Sequence, residues 1–215
     1  RHRSRGTRQA VEKPRLRVNP RVTIVRQHST TMLVRVKKTE CPCSRAVSVK
    51  EVLQWASEWV EVIAPYAERP CAFFDIDHTL IDGAGDPLAD VVALLRKCEV
   101  YNVHCFYVTA RPETGRAETL RALERIKLHE PSERLAMMPV EINTTFDNIA
   151  RMKRKARARF AHGLTPILNV GDAFSDGGSG SQLEMLKGVA IDDPKTTGVF
   201  MLQTYPFVKL PGRQV

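Results

Sequence analysis

The 215-residue sequence contains no long apolar run and is poor in cysteine and aromatic residues. No stretch approaches the ~18 consecutive apolar residues of a membrane-spanning helix, so we expect no membrane span. Among five cysteines, Cys41 and Cys43 are separated by a single proline, and no second Cys or His pair at ligand spacing accompanies them. These absences argue against a membrane protein, a disulfide scaffold and a structural zinc site.

The same absences bear on location. An odd number of cysteines without a visible disulfide framework favours a reducing compartment. No apolar segment typical of a secretory signal is visible at the start of the sequence. We therefore expect an intracellular protein. The acid-poor start, which contains Arg and Ser, would suit a mitochondrial targeting segment and would equally suit an arm within a nucleoprotein particle.

Positive charge is concentrated near the N-terminus. Residues 1–40 hold 12 Lys or Arg against two acidic residues, whereas the whole chain has a formal charge of +9. Little aromatic surface interleaves these cations, so phosphate-backbone contact fits better than base stacking. We expect residues 1–46 to be a basic arm, disordered or bound to RNA, DNA or partner proteins; a solvated tail is the alternative. Short β-type alternation predicts a hairpin within residues 21–38.

From residue 47 to residue 215, helical and strand patterns alternate. Ser48 and Glu51 form a capping-box signature for a helix that Pro65 ends. Asp86 and Pro87 look like the N-cap and first residue of a second helix. Further helices are predicted at 114–128, 146–160 and 182–186, and strands at 72–76, 103–109, 135–140, 166–172 and 189–191. This alternation predicts an α/β domain with a parallel sheet covered by helices on both faces.

Two aspartates follow the first predicted strand of this domain, in the segment CAFFDIDHTLID. Residues two apart on a strand share a face, so the carboxylates of Asp75 and Asp77 can point into one crevice. Two such acids repel each other unless a cation or a shared proton intervenes, and Mg²⁺ prefers oxygen ligands of this kind. We interpret Asp75 as a nucleophile that forms an aspartyl-phosphate. Asp77 is then the general acid and afterwards the general base.

Two further motifs supply groups that would bind a phosphate. Thr109 ends the second predicted strand, and its hydroxyl, with the backbone amides that follow at Ala110, forms a candidate phosphate-binding turn. Arg111 is a candidate substrate contact. The basic run RMKRKARAR offers Lys153 as a point charge for a phosphoryl group, with Arg151 and Lys155 as alternatives.

The segment NVGDAFSD contains the last candidates. Gly171 permits a tight exit from the preceding strand. Asp172 is a candidate metal ligand, and Asp176 is a candidate supporting residue that holds a metal-bound water or the loop.

These motifs resemble, in order, the four-motif signature of the haloacid dehalogenase superfamily: D-x-D-x-T, a strand-end threonine, a basic residue and G-D-x-x-x-D. The segments FDIDHTL, VTARPE and NVGDAFSD look most like its acid phosphatase branch, the class B and plant vegetative-storage-type enzymes. The resemblance covers residues 48–211. It implies a Rossmann-like three-layer sandwich and an aspartyl-phosphate mechanism. It also implies Mg²⁺ held by the Asp75 carboxylate, the Asp77 backbone carbonyl and Asp172.

The spacing of the motifs leaves little room for the inserted cap domain that selects substrates in this superfamily. Only 31 residues separate Asp77 from Thr109, and 43 separate Thr109 from Lys153. We expect no large cap, and an open site admits macromolecular as well as small phosphoesters. The first function predicted is a Mg²⁺-dependent phosphomonoester hydrolase. The alternative is an acid-phosphatase-like structural component of a large nucleic-acid-containing assembly, such as a mitochondrial ribosome or a virion, anchored by the basic arm.

Overall fold

The computed structural model describes residues 22–26, 32–36, 48–128, 131–177, 197–201 and 205–212. Our predictions for the arm at 1–20, for Cys41 and Cys43, for a helix at 182–186 and for a strand at 189–191 lie outside these residues. The chain divides into two compact units, Arg1–Glu40 and Cys41–Val215. In the first unit, strands β1 (Val22–Arg26) and β2 (Met32–Val36) pair in antiparallel fashion.

A six-stranded, mostly parallel sheet forms the centre of the second unit. Its strands are β3 (Pro70–Phe74), β4 (His104–Pro112), β5 (Leu135–Met138), β6 (Thr165–Gly171), β7 (Gly198–Met201) and β8 (Pro206–Lys209). They lie in the order β5-β4-β3-β6-β8-β7, and within this sheet β7 alone runs antiparallel to its neighbour. The predicted α/β fold is confirmed, with the addition of this antiparallel edge strand.

The described residues also form five α-helices, and the starts of two of them follow from capping. The helices are α1 (Val49–Ile63), α2 (Ala89–Val100), α3 (Arg116–Arg125), α4 (Phe146–Phe160) and α5 (Phe174–Gly177). The predicted capping box of α1 is confirmed, because the Glu51 N–H donates to Ser48 Oγ (3.2 Å) and the Ser48 N–H donates to Glu51 Oε2 (2.9 Å). The predicted span of α4 is also confirmed, and Thr145 caps it.

Helices cover both faces of the sheet because strand residues alternate between them. On one face, Phe73 and Val108 pack in a buried cluster with Met152 and Ala156 of α4. On the other face, α1 packs against α2 and is tied to the sheet, since Trp59 Nε1 donates a 2.8 Å hydrogen bond to the Ile167 carbonyl. The sheet is therefore the middle of three layers, as the resemblance implied.

The prediction that Asp86 and Pro87 begin a helix is wrong. Helix α2 begins at Ala89, and Leu88 at its N-cap makes no side-chain capping bond. Asp86 belongs instead to a tight loop, in which its N–H donates to Asp82 Oδ1 (2.9 Å) and its carbonyl accepts from the Asp82 N–H (2.9 Å). Pro87 bridges to Ile81, so both residues belong to the loop and the helix begins two residues later than predicted.

Strand β4 runs three residues beyond Thr109, where we predicted its end. Its pairing with β5 is irregular there: Val108 faces Ala136 and Pro112 faces Met138, so four steps along β4 match two along β5. The bulge lies at the predicted phosphate-binding residues and changes their direction relative to the neighbouring strand.

The connection from β3 to β4 holds no inserted domain, nor does the described part of the connection from β4 to β5. No helix in the described ranges has the length and apolar character to cross a bilayer.

Candidate active site

Two parallel neighbours at the centre of the sheet each end in an aspartate of the predicted site. Asp75 directly follows β3, Asp172 directly follows β6, and Phe74 pairs with Val170 across these strands. The chain passes from β3 to β4 on one side, whereas β6 lies on the other side of β3, so the strand order reverses here. Open α/β sheets bind ligands in the crevice beyond the carboxyl ends of strands at such a reversal.

Three carboxylates meet in this crevice. Oxygens of Asp75, Asp172 and Asp176 all lie within 4.8 Å of one another. Asp75 and Asp176 are buried, and Asp172 is half-buried. Residues nearly a hundred positions apart in the sequence thus converge as predicted, and Asp176, for which we expected a supporting role, is itself a member of the cluster.

Lys153 supplies the buried cation of the site. It lies on α4, is only 3% exposed, and donates from Nζ to Asp75 Oδ1 (2.7 Å) and to Asp176 Oδ1. The two alternatives on the same helix, Arg151 and Lys155, are exposed and line a groove along β5. Of these three residues, Lys153 is therefore the one that the fold brings to the carboxylates.

The loop after β6 wraps tightly around Asp176. The Ala173 N–H donates to Asp176 Oδ2 (2.9 Å), and the Asn169 side-chain amide donates to the Asp176 carbonyl. A Cβ added at Gly171 would lie 2.3 Å from Asp176 Oδ2 and 2.4 Å from Asp176 Cβ. Gly171 is thus required because the Asp176 side chain approaches its Cα closely, a more specific role than the tight exit that we predicted.

Asp77 lies at the open side of the crevice and pairs with Arg111. Its side chain is 43% exposed and accepts three hydrogen bonds from Arg111, from Nη2 to Oδ1 (2.6 Å) and from Nε to Oδ1 (3.1 Å) and Oδ2 (3.0 Å). Thr109 Oγ1 accepts from the Arg111 N–H (3.1 Å) and lies 3.5 Å from Asp77 Oδ2. Thr109, Ala110 and Arg111 therefore flank Asp77, and Arg111 fixes the position of its carboxylate.

The electrostatics of the cluster favour an additional cation. Burial raises the pKa of Asp75 well above its ordinary value, against the opposing charge of Lys153. Burial and the neighbouring Asp176 raise the pKa of Asp172 to about 6. Burial lowers the pKa of Lys153, but Asp176 and Asp75 outweigh burial and raise it overall. Three carboxylates around one buried ammonium leave negative charge that Lys153 does not balance.

The donor atoms of the cluster fit a hard divalent cation. They are carboxylate oxygens alone, with no Cys or His among the three residues. The pKa of Asp172 is raised because its negative charge is unfavourable in this buried cluster, and a divalent cation would stabilise that charge. Two of the ligands that the resemblance implied, the carboxylates of Asp75 and Asp172, lie in the cluster. The third was the backbone carbonyl of Asp77, and the pairing of the Asp77 carboxylate with Arg111 leaves that carbonyl unaffected.

Two buried residues at or near the predicted motifs had been assigned no role from the sequence. Lys209, 2% exposed, lies opposite Gly171 in the pairing of β6 with β8, and its charge lowers the pKa of Asp172. The one signal for it was a lone lysine in the apolar segment PFVKLPG. Thr79, the threonine of D-x-D-x-T, is fully buried, and its hydroxyl has no hydrogen-bond partner among the described residues.

The fold is shared with solved acid phosphatases. The chain is similar to the class C acid phosphatase from Bacillus anthracis with a TM-score of 0.50 and 16% identity, over 78% of this chain and 79% of that chain. The same enzyme with tungstate bound gives a TM-score of 0.53 and 15% identity, over 79% and 80% of the two chains. No family model and no curated protein matches the chain. At this identity the likeness establishes the fold. Both structures are of class C, so the class B and plant vegetative-storage-type branch stays a prediction.

Proposed function

We propose that this protein is a phosphomonoester hydrolase of the haloacid dehalogenase type that acts with Mg²⁺. The observation that supports this most directly is the convergence of Asp75, Asp172 and Asp176 around Lys153 at the carboxyl edge of the sheet. The acid phosphatase fold supports the same reaction class. Whether the chain is closer to class B or to class C enzymes does not change the chemistry proposed for these residues.

In this proposal Asp75 is the nucleophile. One of its oxygens attacks the phosphorus, a bond forms between that oxygen and phosphorus, and the bond between phosphorus and the ester oxygen breaks. Lys153, already 2.7 Å from Asp75 Oδ1, orients the carboxylate and offsets negative charge on the phosphoryl group. Thr109 and the Ala110 amide would bind the phosphoryl oxygens.

Asp77 would transfer the protons. It gives a proton to the departing ester oxygen, and then takes one from the water that attacks the phosphorus of the aspartyl-phosphate. That second attack releases inorganic phosphate and restores the Asp75 carboxylate. Arg111 is a positioning residue in this scheme, because its hydrogen bonds to both carboxylate oxygens fix the Asp77 side chain. The partial exposure of Asp77 allows the leaving group to depart through the open side of the crevice.

The carboxylates of Asp75 and Asp172 and the backbone carbonyl of Asp77 would hold the metal ion, with Asp176 as a further ligand or as the acceptor for its water. A bound Mg²⁺ would neutralise charge on the phosphoryl group and on the clustered carboxylates. Asp176 also keeps Lys153 in place, since both of its oxygens are engaged, one by Lys153 and one by the Ala173 N–H.

Hydrolysis of p-nitrophenyl phosphate tests this function. We expect the native chain to release p-nitrophenol in the presence of Mg²⁺ and to lose this activity with EDTA. Asp75→Asn should lower kcat by about a thousandfold or more, because it removes the nucleophile. The matched control Asp90→Asn, an exposed acid at the start of α2, should keep native activity. If the native and Asp75→Asn chains are equally inactive over a range of substrates and pH values, the enzymatic function is wrong.

A further inference from the structure

A second cleft adjoins the candidate active site. It has a volume of about 450 Å³, within the ordinary range of ligand sites, and lies between the loop that follows the first motif and helix α3. Ile81 and Gly85 line it on the loop side, and Arg121 and Arg125 line it on the helix side. None of the roles assigned above involves the two helix arginines.

The loop wall of this cleft is held in one conformation. Asp82 Oδ1 accepts hydrogen bonds from the N–H groups of Ala84 (2.8 Å) and Asp86 (2.9 Å). Gly85 adopts a φ of +87°, in the left-handed region that glycine tolerates. Ile81 also bridges to Asp77 on one side and to Pro87 on the other. The wall is therefore held by hydrogen bonds from backbone N–H groups to the Asp82 carboxylate and is continuous with the first motif.

The cleft is lined by more positive than negative charge. Three arginines, Arg111, Arg121 and Arg125, line it together with one glutamate, Glu118. Arg111 is already paired with Asp77. Arg121 and Arg125 are exposed and one helical turn apart, so their Cα atoms are about 6 Å apart. Arg121 Nε donates to the Ala117 carbonyl (3.3 Å), which leaves its two Nη groups, together with the guanidinium of Arg125, as donors for a phosphate group.

Arg111 connects the cleft to the reacting groups. Its guanidinium contacts both oxygens of Asp77 and also lines the cleft. A substrate whose reacting phosphate lies against Asp75 would therefore place its leaving group past Asp77 and Arg111 and into the cleft. The cleft lies on the leaving-group side, where it would select among phosphomonoesters rather than take part in the reaction.

We propose that Arg121 and Arg125 form a subsite for a second phosphate, so that the preferred substrates are phosphomonoesters that carry another phosphate group on the leaving-group side. This inference rests on the proposed hydrolase function and adds the substrate class to it. A nucleoside 3′,5′-bisphosphate has this chemistry, as does an oligonucleotide that ends in a phosphate.

Equilibrium binding separates this subsite from the hydrolytic activity. Isothermal titration calorimetry compares adenosine 3′,5′-bisphosphate with adenosine 5′-monophosphate, which differ by one phosphate, on the Asp75→Asn full chain with Mg²⁺. We expect the bisphosphate to bind about tenfold more tightly, as one well-made charged contact allows. Arg121→Gln/Arg125→Gln should bring the two Kd values within about twofold, while the Kd of the monophosphate stays nearly unchanged.

The control is Lys155→Gln/Arg159→Gln, which removes two exposed cations of α4 at the same spacing. This variant should keep the tenfold preference. Three results would each overturn the subsite. The parent chain could bind the two ligands with equal Kd values, or the Arg121→Gln/Arg125→Gln variant could keep the preference for the bisphosphate. The control variant could also lose that preference to the same extent. The KM ratio for the two substrates on the native chain gives the same comparison if Asp75→Asn does not fold. Failure of the hydrolase function would appear separately, as the lack of phosphate release by the native chain.

Discussion

Among the described residues, the two carboxylates that Lys153 contacts, Asp75 and Asp176, stabilise its charge in the interior. Its side chain is 4% exposed, and those of Asp75 and Asp176 are 6% and 3% exposed. Removing the ammonium would leave three clustered carboxylates without their buried cation. Breaking one side of a buried ion pair costs more than the pair itself contributes, because the remaining charge stays desolvated.

We therefore predict that Lys153→Met lowers the free energy of unfolding by about 3 kcal/mol or more, measured by urea denaturation at pH 7. The exposed neighbour Lys155 is the control, and Lys155→Met should change stability by no more than about 0.5 kcal/mol. Similar stabilities for the two variants would show that Lys153 is not held as a buried ion.

Gly171 tests the packing of the same site without a change of charge. A Cβ at this position would overlap atoms near the Asp176 backbone, which cannot move aside as the end of a long side chain could. Gly171→Ala should lower the free energy of unfolding by roughly 2 kcal/mol or more. At Gly115 an added Cβ meets nothing within 4 Å, so Gly115→Ala should be nearly neutral. Two equally mild variants would contradict the close approach.

At the scale of single residues, the order of motifs was enough to predict that Asp75 and Asp172 meet a basic residue, whereas the choice of Lys153 over Arg151 and Lys155 needed the structure. Each follows a strand or lies on a helix whose periodicity is clear in the sequence, and parallel strands bring their carboxyl ends together. Lys209 could not be predicted in the same way. Its place opposite Gly171 depends on the pairing of β8 with β6, which no local spacing encodes.

At the scale of elements, a polar contact among the described residues attaches α1 to the sheet. Trp59, 5% exposed, donates from Nε1 to the Ile167 carbonyl of β6, and its ring stacks on that of Trp55 with centroids 5.2 Å apart. Trp59→Phe keeps an aromatic ring and removes the donor, which leaves the buried carbonyl without this bond.

We expect Trp59→Phe to lower the free energy of unfolding by about 1–2 kcal/mol in urea denaturation. Trp55→Phe is the matched control, because the hydrogen bond to Ile167 belongs to Trp59 alone, and it should have the smaller effect. If the control is the more destabilising of the two, stacking rather than the hydrogen bond holds α1 in place.

The accuracy of the predicted elements follows the strength of their local signals. Helices α1 and α4 have capping residues and long apolar periodicity, and the sequence predicted both. The start of α2 was misplaced because Asp-Pro is typical of a helix start, whereas here Asp86 is bonded to Asp82 and Pro87 is bridged to Ile81 within the loop. Strands β7 and β8 were not predicted, and their pairing with each other and with β6 is not encoded by local spacing. Their length is not the reason, since β5 also has four residues and was predicted.

At the scale of the whole molecule, charge is separated along the chain. The first 40 residues hold 12 of the 33 basic residues and two of the 24 acidic ones. A hydrolase of small phosphomonoesters has no need of such a segment, whereas a protein held on RNA or DNA would use it for phosphate contacts. We propose that the basic arm binds a nucleic acid, either to bring the hydrolase to its substrate or to anchor the chain in an assembly.

Fluorescence anisotropy with a labelled 30-nucleotide RNA or DNA duplex measures this binding. If the arm makes about six phosphate contacts, affinity should fall by about a thousandfold between about 50 and 200 mM salt. Deletion of residues 1–40 should abolish binding, while the full chain with Lys155→Gln/Arg159→Gln should bind as the native chain does. Unchanged binding after the deletion would place the nucleic-acid contact elsewhere.

The central claim, that Asp75 accepts the phosphoryl group, is tested most directly by trapping the aspartyl-phosphate. The Asp77→Asn chain is mixed with p-nitrophenyl phosphate and Mg²⁺, quenched in acid, reduced with borohydride and analysed by peptide mass spectrometry. The nitrophenolate leaving group needs no protonation, so phosphorylation should proceed while loss of the Asp77 base slows the release of phosphate. We predict homoserine in place of Asp75 and none in the Asp75→Asn chain. Steady hydrolysis by the native chain with homoserine at another residue, or at none, would contradict the proposed mechanism.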